Sequence, residues 1–228
     1  VAGWDGSTLR FVWADCATPA TDFALAQNTV VIPGGVGAGG RFWVGDWNGD
    51  GRDDLVRDDG VSIEVALATG VRAAPLTLFG SNPAWQSSGS VVGGFYVCDF
   101  DGDGKSDLMQ SLTTGLHFLI STGSSFYPPA LWRTEGPPTG GWSVGDFDCD
   151  GRCEIIQRTS AGVLRVLDIT PPPLNGKGNL TPISPKNIPA GPYAVGDFDG
   201  NGQDDLATVV TGSSVRVIKS CDVSCDCL

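Results

Sequence analysis

VGDWNGDGRDDLV at 44–56 returns three times along the chain: as VCDFDGDGKSDLM at 97–109, VGDFDCDGRCEII at 144–156 and VGDFDGNGQDDLA at 195–207. The first aspartates of these segments stand at 46, 99, 146 and 197, so the spacings are 53, 47 and 51 residues. Self-similarity at such a period marks a repeated supersecondary unit that buries its faces against its neighbours. Each segment is followed by a short alternating stretch, VSIEVAL at 61–67, GLHFLIS at 115–121, GVLRVLD at 162–168 and SSVRVIK at 213–219. GSTLRFVWA at 6–14 resembles the same element with no such segment before it.

The register extends upstream. Ile32, Trp85, Trp132 and Ile183 each lie 14 residues before the first Asp. Phe42, Phe95, Trp142 and Tyr193 lie four before it, and Trp47, Phe100, Phe147 and Phe198 directly after it. Aromatics that recur so faithfully are expected to pack between adjacent sheets. Period-two alternation, with Gly and Pro interrupting every long window, predicts strands and no helix. Four short strands per unit of about 50 residues predict an all-β β-propeller of four-stranded antiparallel blades. The expected division is a half-repeat at 1–35, blades at about 36–88, 89–135, 136–186 and 187–220, and a Cys-rich tail at 221–228, all in one domain over 1–228. Two arrangements fit the ends: N-terminal strands complete the last blade, or the chain is a segment of a larger propeller.

Within each segment, oxygen-bearing side chains fall at positions 1, 3, 5 and 9, with Gly at 6. The first loop offers Asp46, Asn48, Asp50 and Asp54, and the second Asp99, Asp101, Asp103 and Asp107. The third offers Asp146, Asp148, Asp150 and Glu154, and the fourth Asp197, Asp199, Asn201 and Asp205. Short carboxylates at alternate positions let a tight turn converge on one hard cation, and Ca²⁺ takes six to eight oxygens. The carbonyls of Arg52, Lys105, Arg152 and Gln203, at position 7, are the expected main-chain ligands. An EF-hand would need Glu at position 12, where this chain has Arg57, Gln110, Gln157 and Thr208. Mg²⁺ suits the loops less, because it keeps its waters and demands a stricter octahedron. Four calcium sites are therefore expected.

These loops resemble those of the FG-GAP or VCBS repeats of integrin-α-like propellers, which read DxDxDGxxD between the first two strands of a blade. The resemblance runs from about Thr29 to Lys219, and ISTGSSFYPPALW at 120–132 is similar to the second half of bacterial VCBS units. It implies a calcium-stabilised propeller serving adhesion, glycan binding or as an appendage of secreted enzymes.

The remaining composition narrows the partners. A net charge of −12 with 14 scattered Lys and Arg argues against nucleic acid. No apolar run approaches the roughly 18 residues that span a bilayer. Seven cysteines suit an oxidising compartment, secreted or at the cell surface. Cys149 and Cys153 replace the Gly and the Asp or Ser of the other loops, which predicts a disulfide across loop three. Cys98 is then the odd buried thiol, and Cys16, Cys221, Cys225 and Cys227 are expected to pair among themselves, tying the two ends together. That tail has no CxxC and the one histidine, His117, is far from it, which argues against zinc.

Fourteen of the 26 acidic residues stand at ligand positions of the loops. Asp58, Asp59, Glu64, Glu135 and Asp168 remain without a catalytic pattern, and neither GxSxG nor a Cys–His pairing is present. His117, on an alternating apolar strand, reads as a core or edge histidine. The expectation is thus not an enzyme but a recognition module, binding a glycan through aromatics outside the repeat register: Trp4, Trp13 and Tyr127. The rival readings are a protein-interaction domain of a larger assembly, toxin complexes included, and an accessory domain of a secreted hydrolase.

Overall fold

The structure, a computed structural model, describes residues 2–4, 8–11, 29–31, 41–71, 76–77, 86–88, 94–113, 115–128, 130–133, 141–158, 164–170, 179–183, 193–210 and 214–219. All regular elements among them are strands, in five antiparallel sheets. The first sheet holds β1 (Ala2–Trp4), β2 (Thr8–Phe11) and β3 (Thr29–Val31). The second runs β4 (Arg41–Gly45), β5 (Asp54–Asp58), β6 (Ser62–Ala66), β7 (Gln86–Ser88). The third runs β8 (Gly94–Cys98), β9 (Asp107–Leu112), β10 (Gly115–Leu119), β11 (Ala130–Arg133). The fourth runs β12 (Trp142–Gly145), β13 (Glu154–Arg158), β14 (Leu164–Thr170), β15 (Asn179–Ile183). The last holds β16 (Tyr193–Gly196), β17 (Asp205–Val210) and β18 (Ser214–Ile218).

Every sheet is a meander, each strand bonded to the one before it in sequence, as short turn-linked strands require. In the last four sheets the acidic segment joins the first strand to the second. The strands of the first sheet carry no such segment between them in the sequence. Its strands pair with one another, and the described pairings of β18 are with β17. Completion of the last blade by N-terminal strands is thus absent from the described pairings.

The chain forms two compact units, 1–92 with 123–126, and 93–122 with 127–228. In the first, Trp47, Val56 and Val65 are buried, and Phe126 meets Trp47 edge-on at 5.8 Å between ring centroids. Arg57 and Glu64 form a buried ion pair across β5 and β6, and Arg41 reaches Asp58 at 2.9 Å.

In the second unit the sheets stack in order. β12 lies beside both β8 and β16, and β11 lies beside β15. The side chains between β8–β11 and β12–β15 form one cluster: Phe100, Met109, Leu116, Phe118 and Ile120 from one side, Trp142, Cys153, Ile155 and Leu167 from the other. Phe100 and Phe118 meet edge to face at 5.1 Å, and the Trp142 indole N–H donates to Ser111 Oγ at 2.9 Å. Phe147, Ile156 and Val166 leave the other face of the same sheet and bury Leu206, with Tyr193, Val195 and Ile218 packed around them. The expectation that the register aromatics are packing residues holds for Trp47, Phe95, Phe100, Trp142 and Phe147, all buried. It does not hold for Phe198, which is 50% exposed on the far face of the last sheet.

Candidate metal centre

Each loop is a nest built by its own position-1 aspartate. In loop two the N–H groups of Gly102 and Asp103 donate to Asp99 Oδ1, and that of Gly104 to Asp99 Oδ2. Loops one and four repeat this around Asp46 and Asp197. In loop three Cys149 and Gly151 donate to Asp146. Two left-handed residues make the reversal, at positions 4 and 6, with φ of 78° and 81° in Gly102 and Gly104. Position 4 of loop three is Cys149, at φ 64° the one non-glycine residue in that region among those described.

Position 9 approaches from the start of the next strand. Its carboxylate takes the N–H at position 2: Trp47 to Asp54, Phe100 to Asp107, Phe147 to Glu154, Phe198 to Asp205, at 2.8–3.2 Å. Asp54 and Asp107 also accept from Ala68 and Ser121, the residues that follow the third strand. All four position-9 carboxylates are buried.

The result is a convergence of positions 1, 3 and 9. Ligand oxygens of Asp99, Asp101 and Asp107 lie within 4.8 Å of one another, and so do those of Asp146, Asp148 and Glu154, and of Asp197, Asp199 and Asp205. Loop one has Asn48, an amide, at position 3, between Asp46 at position 1 and Asp54 at position 9. Position 5 stands outside these groups. Asp50, Asp103 and Asp150 instead pair with the side chains of Arg52, Lys105 and Arg152 two residues on. Asn201 holds the Gln203 N–H at 2.7 Å, and Asp199 is met by Lys219 at 3.0 Å.

Grouping carboxylates while withdrawing one from water is unfavourable unless a cation offsets it. Burial, reinforced by the neighbouring loop charges, pushes Asp107 and Glu154 up to about 8, and Asp54 and Asp101 up to about 6. At the exposed position 1 of loop four, backbone N–H groups hold Asp197 below the usual carboxylate range. Glu154 Oε1 is buried without a hydrogen-bond partner, inside a group of three carboxylates. A buried carboxyl oxygen left unmet in an all-oxygen donor set fits a hard divalent cation, whose binding displaces the proton. Three such groups are present among the described residues, and these groups contain neither His nor Cys.

The disulfide differs from the expected one. Cys98 bonds Cys153, Cα to Cα 6.0 Å, and Cys149 is free and exposed. Cys149 and Cys153 therefore do not pair, and Cys98 is not an odd thiol. Position 8 lies past the tip of the loop and against the loop before it: Cys153 N–H donates to Asp99 O at 2.8 Å, which puts Cys98 at hand. The sequence signal was present but in another register, with Gly lost before one loop and position 8 replaced in the next. Cys16, Cys221, Cys225 and Cys227 lie outside the described residues.

Of the aromatics singled out for a ligand, Tyr127 is half-buried against the core of the second unit. Trp4 stands in β1, its side chain outside the description, and Trp13 lies outside the described residues. Among the unassigned carboxylates, Asp58 and Glu64 are held in ion pairs and Asp59 accepts from Val61 and Ser62 in a turn. Burial lowers the basicity of His117, whose Nε2 is buried without a partner. Glu135 and the side chain of Asp168 lie outside the described residues.

No protein-family model and no curated protein matches this chain. Among solved structures, one similar to it is a lectin of Agrocybe aegerita that recognises non-reducing terminal N-acetylglucosamine, with a TM-score of 0.53 and 17% identity. The match covers 74% of this chain and 46% of the lectin, so the chain spans about half of that structure. What the two share is the all-β fold.

Proposed function

We propose that this protein is a calcium-binding β-propeller of the FG-GAP/VCBS type that acts at the cell exterior as a non-catalytic recognition module, most directly for glycans. The carrying observation is the recurrence of one carboxylate group, positions 1, 3 and 9, at the same register in loops two, three and four. Sheets stacked first strand beside first strand support the blade reading. The disulfide suits an oxidising compartment. An all-β fold shared with a lectin supports glycan recognition. Asp46, Asn48 and Asp54 make loop one the fourth site. When bound, calcium supplies a fixed positive centre that holds each loop closed. The loops and strand connections then form a rigid scaffold of the kind that carries binding sites.

A glycan array read at millimolar calcium and again with chelator tests this. Calcium-dependent binding of a defined sugar class is expected; an empty array in calcium removes the lectin reading. A second reading, a domain that docks another protein, is favoured by the exposed apolar face of the last sheet, where Phe198, Val209, Val215 and Val217 are 41–67% exposed. Val215→Asp abolishes a protein complex under that reading and leaves sugar binding intact under the first.

A further inference from the structure

The strongest unassigned contact lies between loops. Asp204 stands at position 8 of loop four, between Gln203 and Asp205, and it is not itself one of the converging carboxylates. Its N–H donates to Asp146 O at 2.7 Å, and its Oδ2 accepts from Asp146 N at 3.1 Å. Both main-chain polar groups of loop three's first aspartate are therefore held by one residue of the next loop. Gly145 makes room for this. A Cβ there would lie 2.7 Å from Asp204 Oδ2 and 2.8 Å from Val195 Cγ1. The preceding junction repeats the arrangement with a covalent addition. Cys153, at position 8 of loop three, donates to Asp99 O, the first aspartate of loop two, and is bonded to Cys98 beside it.

We infer that Asp204 is a positioning residue for the loop preceding its own, fixing Asp146 so that cations bind loops three and four as a coupled pair. The inference rests on the calcium reading above. A cation that closes loop four immobilises positions 7 and 9, and with them the residue between. That residue holds Asp146 with its carboxylate already turned to receive a cation in loop three. Linkage makes the effect reciprocal, so calcium in loop three favours calcium in loop four by the same factor. Cys153 gives loops two and three the same relation.

The test is calcium titration of the full chain by calorimetry, comparing Asp204→Ala, Asp204→Asn and Gly145→Ala with the parent, each also in a Glu154→Gln background that disables loop three. Asp204→Ala leaves every loop-three ligand in place yet lowers calcium affinity at one further site by about tenfold, the worth of one hydrogen bond to a main-chain donor. Asp204→Asn, which keeps an acceptor oxygen, retains most of the affinity. Gly145→Ala, which displaces Asp204 without changing it, reproduces the loss. In the Glu154→Gln background Asp204→Ala adds little. Circular dichroism without calcium checks that each variant folds. Parent-like titration of Asp204→Ala overturns the inference, as does equal loss in Asp204→Asn or an undiminished loss with loop three disabled. A parent protein that takes up no calcium overturns the calcium reading itself, a result the variants cannot imitate.

Discussion

The sheets β12–β15 and β16–β18 carry matching residues at matching places and bury them differently. Phe147, Ile156 and Val166 are 1%, 3% and 4% exposed. Their counterparts 51 residues on are Phe198, Ala207 and Val217, of which Phe198 is 50% and Val217 41% exposed. The rear face of the last sheet, with Leu206, Val195 and Ile218, packs against its predecessor as well as any. The repeat thus encodes two apolar faces per sheet, and the forward one is satisfied only where another sheet lies upon it. Identical side chains therefore carry different weights along the chain.

The largest test of this difference is truncation of the shared aromatic. Phe147→Ala should cost about 3–5 kcal/mol, as for other buried Phe. Phe198→Ala should cost less than about 1 kcal/mol, since half of the ring already faces water. Equal losses in urea denaturation would mean that a further sheet covers Phe198 in solution.

Next in size, taken site by site, is calcium. Ions that bind only the folded state stabilise it by about 2.7 kcal/mol per site at a hundredfold excess over Kd. Four of them would also bring the formal charge from −12 to about −4 by adding +8. The gain depends on pH through loops two and three. Glu154 and Asp107, pushed up to about 8 from ordinary values of 4.5 and 3.8, keep their protons in the calcium-free folded state up to about that pH. A raised folded value means stability that is present in acid and lost as pH rises through about 8. Chelator should therefore depress the melting temperature little at pH 5 and strongly at pH 8. Asp101→Ala should remove one site and shrink that gap. A melt indifferent to chelator at pH 8 would end the metal reading.

The smallest effect is a methyl exchanged for a hydroxyl. Val166→Thr buries an unpaired O–H and should cost about 1–2 kcal/mol, whereas Val217→Thr should fall within about 0.5 kcal/mol. The difference, read from paired melts, sharpens the contrast without opening a cavity.

Much of this was legible in the amino-acid order. The recurring DxDxDG, the alternation after it and the paired aromatics located the loops and strands, because each of those signals is local. Positions 1, 3 and 9 converge as short carboxylates around a tight turn must. Position 5 is expected as a ligand because its spacing fits. In the first three loops a cation stands two residues later, Arg52, Lys105 and Arg152, and pairs with the position-5 carboxylate, while in loop four Asn201 and Gln203 lose both charges together. The disulfide is not legible in the loops taken as parallel copies. What joins Cys98 to Cys153 is the contact between one copy and the next. The exposure of Phe198 likewise depends on what lies beyond its sheet, which no residue of the repeat records.

The bond between Cys98 and Cys153 also has a mechanical consequence. It links residues 55 apart in sequence and encloses loop two, β9 to β12 and loop three up to Arg152. A chain pulled from its two ends can extend by at most about 3.5 Å per freed residue. The enclosed stretch would thus withhold about 190 Å of contour length until the bond is reduced. In a force-extension trace this appears as a shortfall that a reductant restores, and in a protein exposed to flow it keeps two adjoining loops together when the sheets around them have given way.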